Sequence, residues 1–251
     1  MLRSTFGLGW RLDATRGLLA LSRPLLVARR MATEEMEACE NRFRISRQAD
    51  VSELGKMAHL CLRKEGDMLV FEAVGTETIS TVLKASAVAM KLADENKPIE
   101  MEVTGPTEEI AKSMGAFAKR NSWITLHKTS KSPPTDEVGN PDEPPNPRLT
   151  ASANSDRVKL ASAISLSLRD HPNVEVQGIG PLCMRKIVEA LEIAGVQCDD
   201  GKGQHIRGSA RFEHVPCGEG MSRSGEPFLT AMVLRLRLHR PHAEISVGND
   251  A

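Results

Sequence analysis

Residues Asn173–Gly195 read NVEVQGIGPLCMRKIVEALEIAG, a short strand, a tight turn and a helix with no residues to spare between them. Val174, Val176 and Ile179 supply the β-branched side chains of a buried strand. Gly178 and Gly180 free the turn of Cβ atoms, and Pro181 suits a first helical position, where its missing N–H costs nothing. Met184, Ile187, Val188, Leu191 and Ala194 then recur at helical spacing as one apolar face, with Arg185, Lys186, Glu189 and Glu192 elsewhere on the wheel. This is half of a small α+β unit.

The same pattern occurs 105 positions earlier. Leu69, Phe71, Val74 and Gly75 match Val174, Val176, Ile179 and Gly180, and Ile79, Val82, Leu83, Ala85 and Ala89 match Met184, Ile187, Val188, Ala190 and Ala194. Upstream the offset becomes 106, where Leu60, Leu62 and Arg63 meet Leu166, Leu168 and Arg169. A duplicated unit with a one-residue loop difference follows.

At 251 residues the chain has room for two such units plus extensions. Its charge is balanced overall but unevenly spread: residues 1–30 carry +5, 31–147 carry −6 and 148–251 carry +1. Without its first thirty residues the chain is mildly acidic, so a strongly basic polyanion binder is not expected. The five cysteines (39, 61, 183, 198, 217) show neither a C-x-x-C spacing nor paired histidines nearby, which argues against a disulfide framework or a zinc site. Cys61 and Cys183 fall on helices as small apolar groups. No apolar run is long enough for a membrane span, which needs about 18 residues.

In chain order, residues 1–30 are rich in Arg, Leu and small hydroxyls with Asp13 as the single acid, the composition of a mitochondrial matrix presequence, with a chloroplast address as the alternative. The first unit spans 43–128. It opens with the strand Phe43–Ser46 and a helix capped by Asp50, with Glu53 in capping-box position. Met68–Val74, Glu77–Asp94 and Pro98–Thr104 follow as strand, helix and strand, then a helix over Thr107–Lys119 and a strand over Trp123–His127. Residues 129–147 form the linker: Lys131–Pro147 holds six prolines in 17 residues and almost nothing apolar. The second unit, 148–240, begins with Leu149, Ala151 and Ala153 alternating, then a helix capped by Ser155 or Asp156. After the central strand, turn and helix, His205–Val215 and Phe228–His239 make a long hairpin. One hairpin face carries Ile206, Gly208, Ala210 and Phe212, and the other is basic. Residues 241–251 read as a disordered tail.

The stretch ASANSDRVKLASAISLSLRDHPNVEVQGIGPLCMRKIVEALEIAG, with the hairpin after it, resembles the bacterial stage V sporulation protein S family over roughly residues 149–238. That family is in turn similar to the Alba group of small β-α-β-α-β-β nucleic-acid-binding proteins. The first unit resembles it by pattern alone. Its turn, Val74-Gly75-Thr76-Glu77, lacks the second glycine, and its extra helix departs from the family. The resemblance implies an α+β fold of two Alba-like domains in tandem. It also implies that the two pair within one chain as such proteins pair in dimers.

The resemblance also points to three groups of nucleic-acid-binding residues. Gly178 and Gly180 open onto a helix N-terminus that can receive a phosphate, with Arg185 and Lys186 one turn on; a purely structural turn accounts for the same glycines. Arg207, Arg211, Arg235 and Arg237, with Arg223 at the loop tip, lie on the hairpin, which in Alba-type proteins reaches along the nucleic acid. Arginine forks suit phosphate oxygens, and the alternative is a solvated sheet face. Arg157 and Lys159 lie near where Alba proteins carry a basic pair. With eight aromatics and no tyrosine, contacts to backbone and shape are expected over base-stacking platforms. His59, His127, His171, His205, His214, His239 and His242 are scattered, with no HExxH or serine elbow, so catalysis, metal and cofactors are not expected. The expected function is binding of RNA, ahead of DNA, through the backbone in the mitochondrial matrix. The rival is a structural or assembly subunit of a large mitochondrial complex such as the ribosome, docking mainly through protein contacts.

Overall fold

Asp50 and Asp156 begin the first helix of each half in the same way. In the computed structural model, Asp50 Oδ1 accepts from the Glu53 N–H at 2.9 Å, and Asp156 Oδ1 accepts from Val158 and Lys159 at 2.8 and 3.0 Å. Asp156 is thus the cap, and Ser155 turns back to accept from the Ser152 N–H. The structure describes residues 41–64, 66–105, 121–129, 146–199, 201, 203–216 and 228–240. Residues 1–40, with the expected presequence, the expected helix Thr107–Lys119, most of the proline-rich stretch, Arg223 with its loop and residues 241–251 lie outside these residues.

The first half comprises β1 (Arg42–Arg44), α1 (Val51–Lys64), β2 (Met68–Val74), α2 (Thr76–Leu92), β3 (Ile99–Thr104) and β4 (Asn121–Lys128). The second comprises β5 (Arg148–Thr150), α3 (Arg157–Asp170), β6 (Val174–Gly178), α4 (Pro181–Cys198), β7 (His205–Pro216) and β8 (Phe228–His239). All eight strands join one mixed sheet in the order β1-β2-β4-β3-β7-β8-β6-β5, so the strand order of one half is reversed in the other. Strand residues of one parity, among them Phe71, Met101, Ile124, Val176 and Leu234, pack with the helices in a single core. The other parity faces away from the helices.

The registers carry the repeat into the sheet. Leu69 pairs with Leu126 and Leu126 with Met101; Val174 pairs with Leu236 and Leu236 with Gly208. Met101 and Gly208 therefore occupy corresponding places, and they are also each other's partners where β3 meets β7. That junction has only two register pairs, so close approach matters there. A Cβ on Gly208 would fall well inside contact with the Arg235 carbonyl oxygen, which is backbone and cannot swing away. Gly208→Ala is expected to cost about 1–3 kcal/mol through overpacking, read as a lower urea midpoint; an unchanged midpoint would mean that β8 yields freely.

The two turn glycines have different duties. Gly180 (φ 85°, ψ 161°) and its counterpart Gly75 (φ 85°, ψ 170°) adopt a backbone conformation open essentially to glycine alone, immediately before α4 and α2. Gly178 instead leaves room for Cys183, Met184 and Ile187, which a Cβ would strike. Two sequence expectations are corrected here. Ile179 lies beyond the end of β6 and is 43% exposed, and Phe212 is 44% exposed because β7 runs past the helices that would cover it. Outward of Phe212 and Met232 the β7–β8 hairpin has no third strand among the described residues, so Glu213–Pro216 and Phe228–Thr230 extend as a two-stranded arm.

Candidate nucleic-acid interface

The hairpin arginines lie on the helix-free face, where the fold supplies them with acids. Arg207 Nε is 3.3 Å from Glu102 Oε2, and Arg237 Nη2 is 2.6 Å from Glu100 Oε1, both across the junction between halves. Arg211 Nη2 reaches Glu175 and Glu213 at 2.6 Å each, and Arg148 binds the same two carboxylates at 2.6 and 3.0 Å. Burial lowers the Arg211 pKa, but hydrogen bonds to Glu175 and Glu213 outweigh it and leave it raised. Arg235 sits between Glu175 and Ser209 in the strand ladders, and burial lowers its pKa. Four arginines (148, 207, 211, 237) thus meet four glutamates (100, 102, 175, 213). A phosphate approaching this face would have to displace carboxylates already in place. Arg223 lies outside the described residues.

Glu100 and Glu102 are what the sequence reading missed. They alternate with the apolar residues of β3 as solvent-facing residues would, yet both are buried, at 3% and 9% exposure. The signal was present in the strand's PIEMEVT pattern. Only the pairing of β3 with β7, however, shows which cations cover them.

The second grouping lies at the carboxyl ends of β5 and β6, where α3 and α4 begin. Cys183 Sγ donates to the Ala151 carbonyl at 3.1 Å and ties the two turns together. Glu189 gathers the cations: Arg185 Nε lies 2.8 Å from its Oε1, and Lys186 Nζ and Arg157 Nη1 lie 3.6 and 3.8 Å from its Oε2. Those last two are in ion-pair range but beyond hydrogen-bonding distance, so Oε2 has no hydrogen-bond donor. Arg185 Nη1 also approaches Thr76 Oγ1 of the first half at 3.4 Å. Asp156 is held below the usual carboxylate range, chiefly by the backbone N–H groups of Lys159 and Val158 and then by the charges of Lys159 and Lys186. Here four cations (157, 159, 185, 186) face the carboxylates Asp156 and Glu189, with the Glu192 carboxyl also under the charges of Arg157 and Arg185, and Arg157 keeps 58% of its side chain exposed. Gly180 is exposed in the same turn and Gly178 is buried beneath it.

One turn along α4, burial pushes the Glu192 carboxyl up to about 7, with the Glu189 charge adding to the rise and a hydrogen bond from Ser122 opposing it. Sequence reading also missed three exposed aliphatic residues among the cations: Val158, Ile179 and Leu182, at 53, 43 and 61% exposure.

Among the described residues no group of three or more His, Cys, Asp and Glu side chains is arranged to hold a metal ion, and no helix is long and apolar enough to cross a membrane. His127 and His205 instead meet at Glu102, at 3.1 and 3.2 Å. No family model matches the chain, and no curated protein matches it significantly.

Proposed function

We propose that the chain is a non-catalytic nucleic-acid-binding protein, taking RNA ahead of DNA, that contacts the backbone through the β5–β6 end of its second half. The carrying observation is the contrast in charge balance. On the sheet face Arg148, Arg207, Arg211 and Arg237 each meet a glutamate and Arg235 lies beside Glu175, while Arg157, Lys159, Arg185 and Lys186 exceed the carboxylates Asp156 and Glu189 by two around an exposed glycine turn. The β-α-β-α-β-β order of each half, and the partnership of Met101 with Gly208 at corresponding positions, support two Alba-like domains paired within one chain as a dimer would be. The arginine-rich leader supports a mitochondrial setting.

The test is titration of the full chain into a fluorescent RNA at several salt concentrations. The triple substitution Arg157→Ala/Lys159→Ala/Lys186→Ala is expected to weaken binding about 10- to 100-fold near 0.1 M salt and to flatten the log–log salt slope by about 2–3. Arg235→Ala/Arg237→Ala is a poorer probe, because removing Arg237 leaves Glu100 without its cation. Binding unaffected by both the triple substitution and salt would end the proposal. Sedimentation of the native protein from mitochondrial lysate with and without RNase then separates an RNA-bound component from a subunit docked through protein contacts.

A further inference from the structure

We propose that the β5–β6 end takes single-stranded rather than duplex nucleic acid, an inference that rests on the backbone-binding reading above. A surface that reads phosphates alone needs cations in water and gains nothing from exposed aliphatic side chains. Here the two are interleaved. Val158 stands between Arg157 and Lys159, and Ile179 and Leu182 flank Gly180 and Pro181. Leu182 and Lys186 are four residues apart on one side of α4.

These are not stray core residues. The neighbouring apolar positions of the same helices, Leu160, Ala161 and Ile164 on α3 and Cys183, Met184 and Ile187 on α4, are all buried, at 9% exposure or less. Val158, Ile179 and Leu182 are exposed together at the end where the cations collect, whereas Leu166 on α3 and Val196 on α4 are exposed singly, further along the same helices.

A duplex turns its phosphates outward and stacks its base faces inside. Docked here, it would set three aliphatic side chains against a charged, hydrated backbone with no return. An unpaired strand presents both chemistries together, phosphates for Arg157, Lys159 and Lys186 and apolar base faces whose area the aliphatic residues can cover without any stacking platform. Aliphatic contact accepts any base, so little sequence preference is expected.

The probes are a labelled uridine homopolymer and a fully paired RNA duplex of the same length, titrated into the full chain at fixed low salt. The wild type is expected to bind the single strand about tenfold tighter than the duplex. Ile179→Ser/Leu182→Ser, and separately Val158→Ser on the other helix, should lower single-strand affinity about 5- to 10-fold with duplex binding unchanged. Each variant is first matched to the wild type in urea midpoint. Equal or tighter duplex binding, or serine variants that weaken both probes alike, would overturn the single-strand preference and leave the backbone reading standing. Failure of the wild type to bind either probe would remove both.

Discussion

Replacing Glu102 by alanine is expected to lower stability by about 3 kcal/mol at pH 7, the low end of the cost of breaking a buried ion pair. Glu102 is nearly covered, and its two oxygens serve three partners: His127 Nε2 at 3.1 Å, His205 Nδ1 at 3.2 Å and Arg207 Nε at 3.3 Å. His127 belongs to the first half; His205 and Arg207 belong to the second. Only two register pairs join β3 to β7, so this carboxylate is a main polar tie between the halves. Its loss would leave the Arg207 guanidinium, with 18% of its side chain exposed, without an anion. Burial alone would raise the Glu102 pKa. The His127 ring nitrogen 3.1 Å away and the charges of His205, His127 and Arg207 more than offset that and hold it below 4.5. A carboxylate with a depressed folded-state pKa contributes its stability above the unfolded value, and that contribution fades as pH falls through the folded value. The wild-type advantage over Glu102→Ala should therefore be full at pH 7 and shrink once pH drops below about 4.5. Urea midpoints for both proteins at pH 7, 5 and 3 measure it. A gap under 1 kcal/mol at pH 7, or one that does not narrow in acid, would show that the tie is not electrostatic.

The sequence was most legible where one segment decides its own structure. Met68–Val74 is a strand over the range its residues indicate, because a β-branched and aromatic run bounded by Asp67 and Gly75 leaves no alternative. Asp50 caps as its spacing from Glu53 indicates, and of the two caps the sequence offers for α3, Ser155 and Asp156, it is Asp156 that takes the place. The glycine before α2 and α4 adopts the same backbone region in both halves, with ψ of 170° and 161° differing by only 9°, although only the second half has the full Gly-x-Gly. Legibility ended where distant segments meet. Arg207 and Arg237 look like a free basic face until β3 is laid beside β7 and brings Glu100 and Glu102 beneath them. Phe212 continues the apolar parity of β7, and nothing in that alternation shows that the helices stop short of it. Nothing in the sequence links Arg157 to Arg185, and their meeting at Glu189 depends on how α3 packs against α4.

Substitution of Glu192 by glutamine is the opposite case, an expected gain. The carboxyl lies where α4 crosses the first half, close to Gly105, hydrogen-bonded by Ser122 and near Glu189, with its Oε1 buried and without a partner. Burial, helped by the Glu189 charge, raises its pKa from 4.5 to about 7. The folded chain thus holds this proton more tightly than the unfolded chain does. The contribution of the protonated carboxyl is complete below 4.5 and is lost as pH climbs through about 7. Across that window the penalty for ionising in place grows to about 3 kcal/mol. Glutamine keeps the shape and polarity of the neutral acid and never ionises. Glu192→Gln should therefore match the wild type near pH 4.5 and exceed it by about 2–3 kcal/mol at pH 8. Because every other titrating group is common to both proteins, the difference between their urea midpoints isolates this residue. If glutamine is neutral or harmful at pH 8, Glu192 is ionised and usefully paired, and Arg157 and Arg185 then belong to it as much as to Glu189. That outcome would shrink the excess of positive charge at the β5–β6 end, so a stability measurement also bears on how much cation is left there for a phosphate.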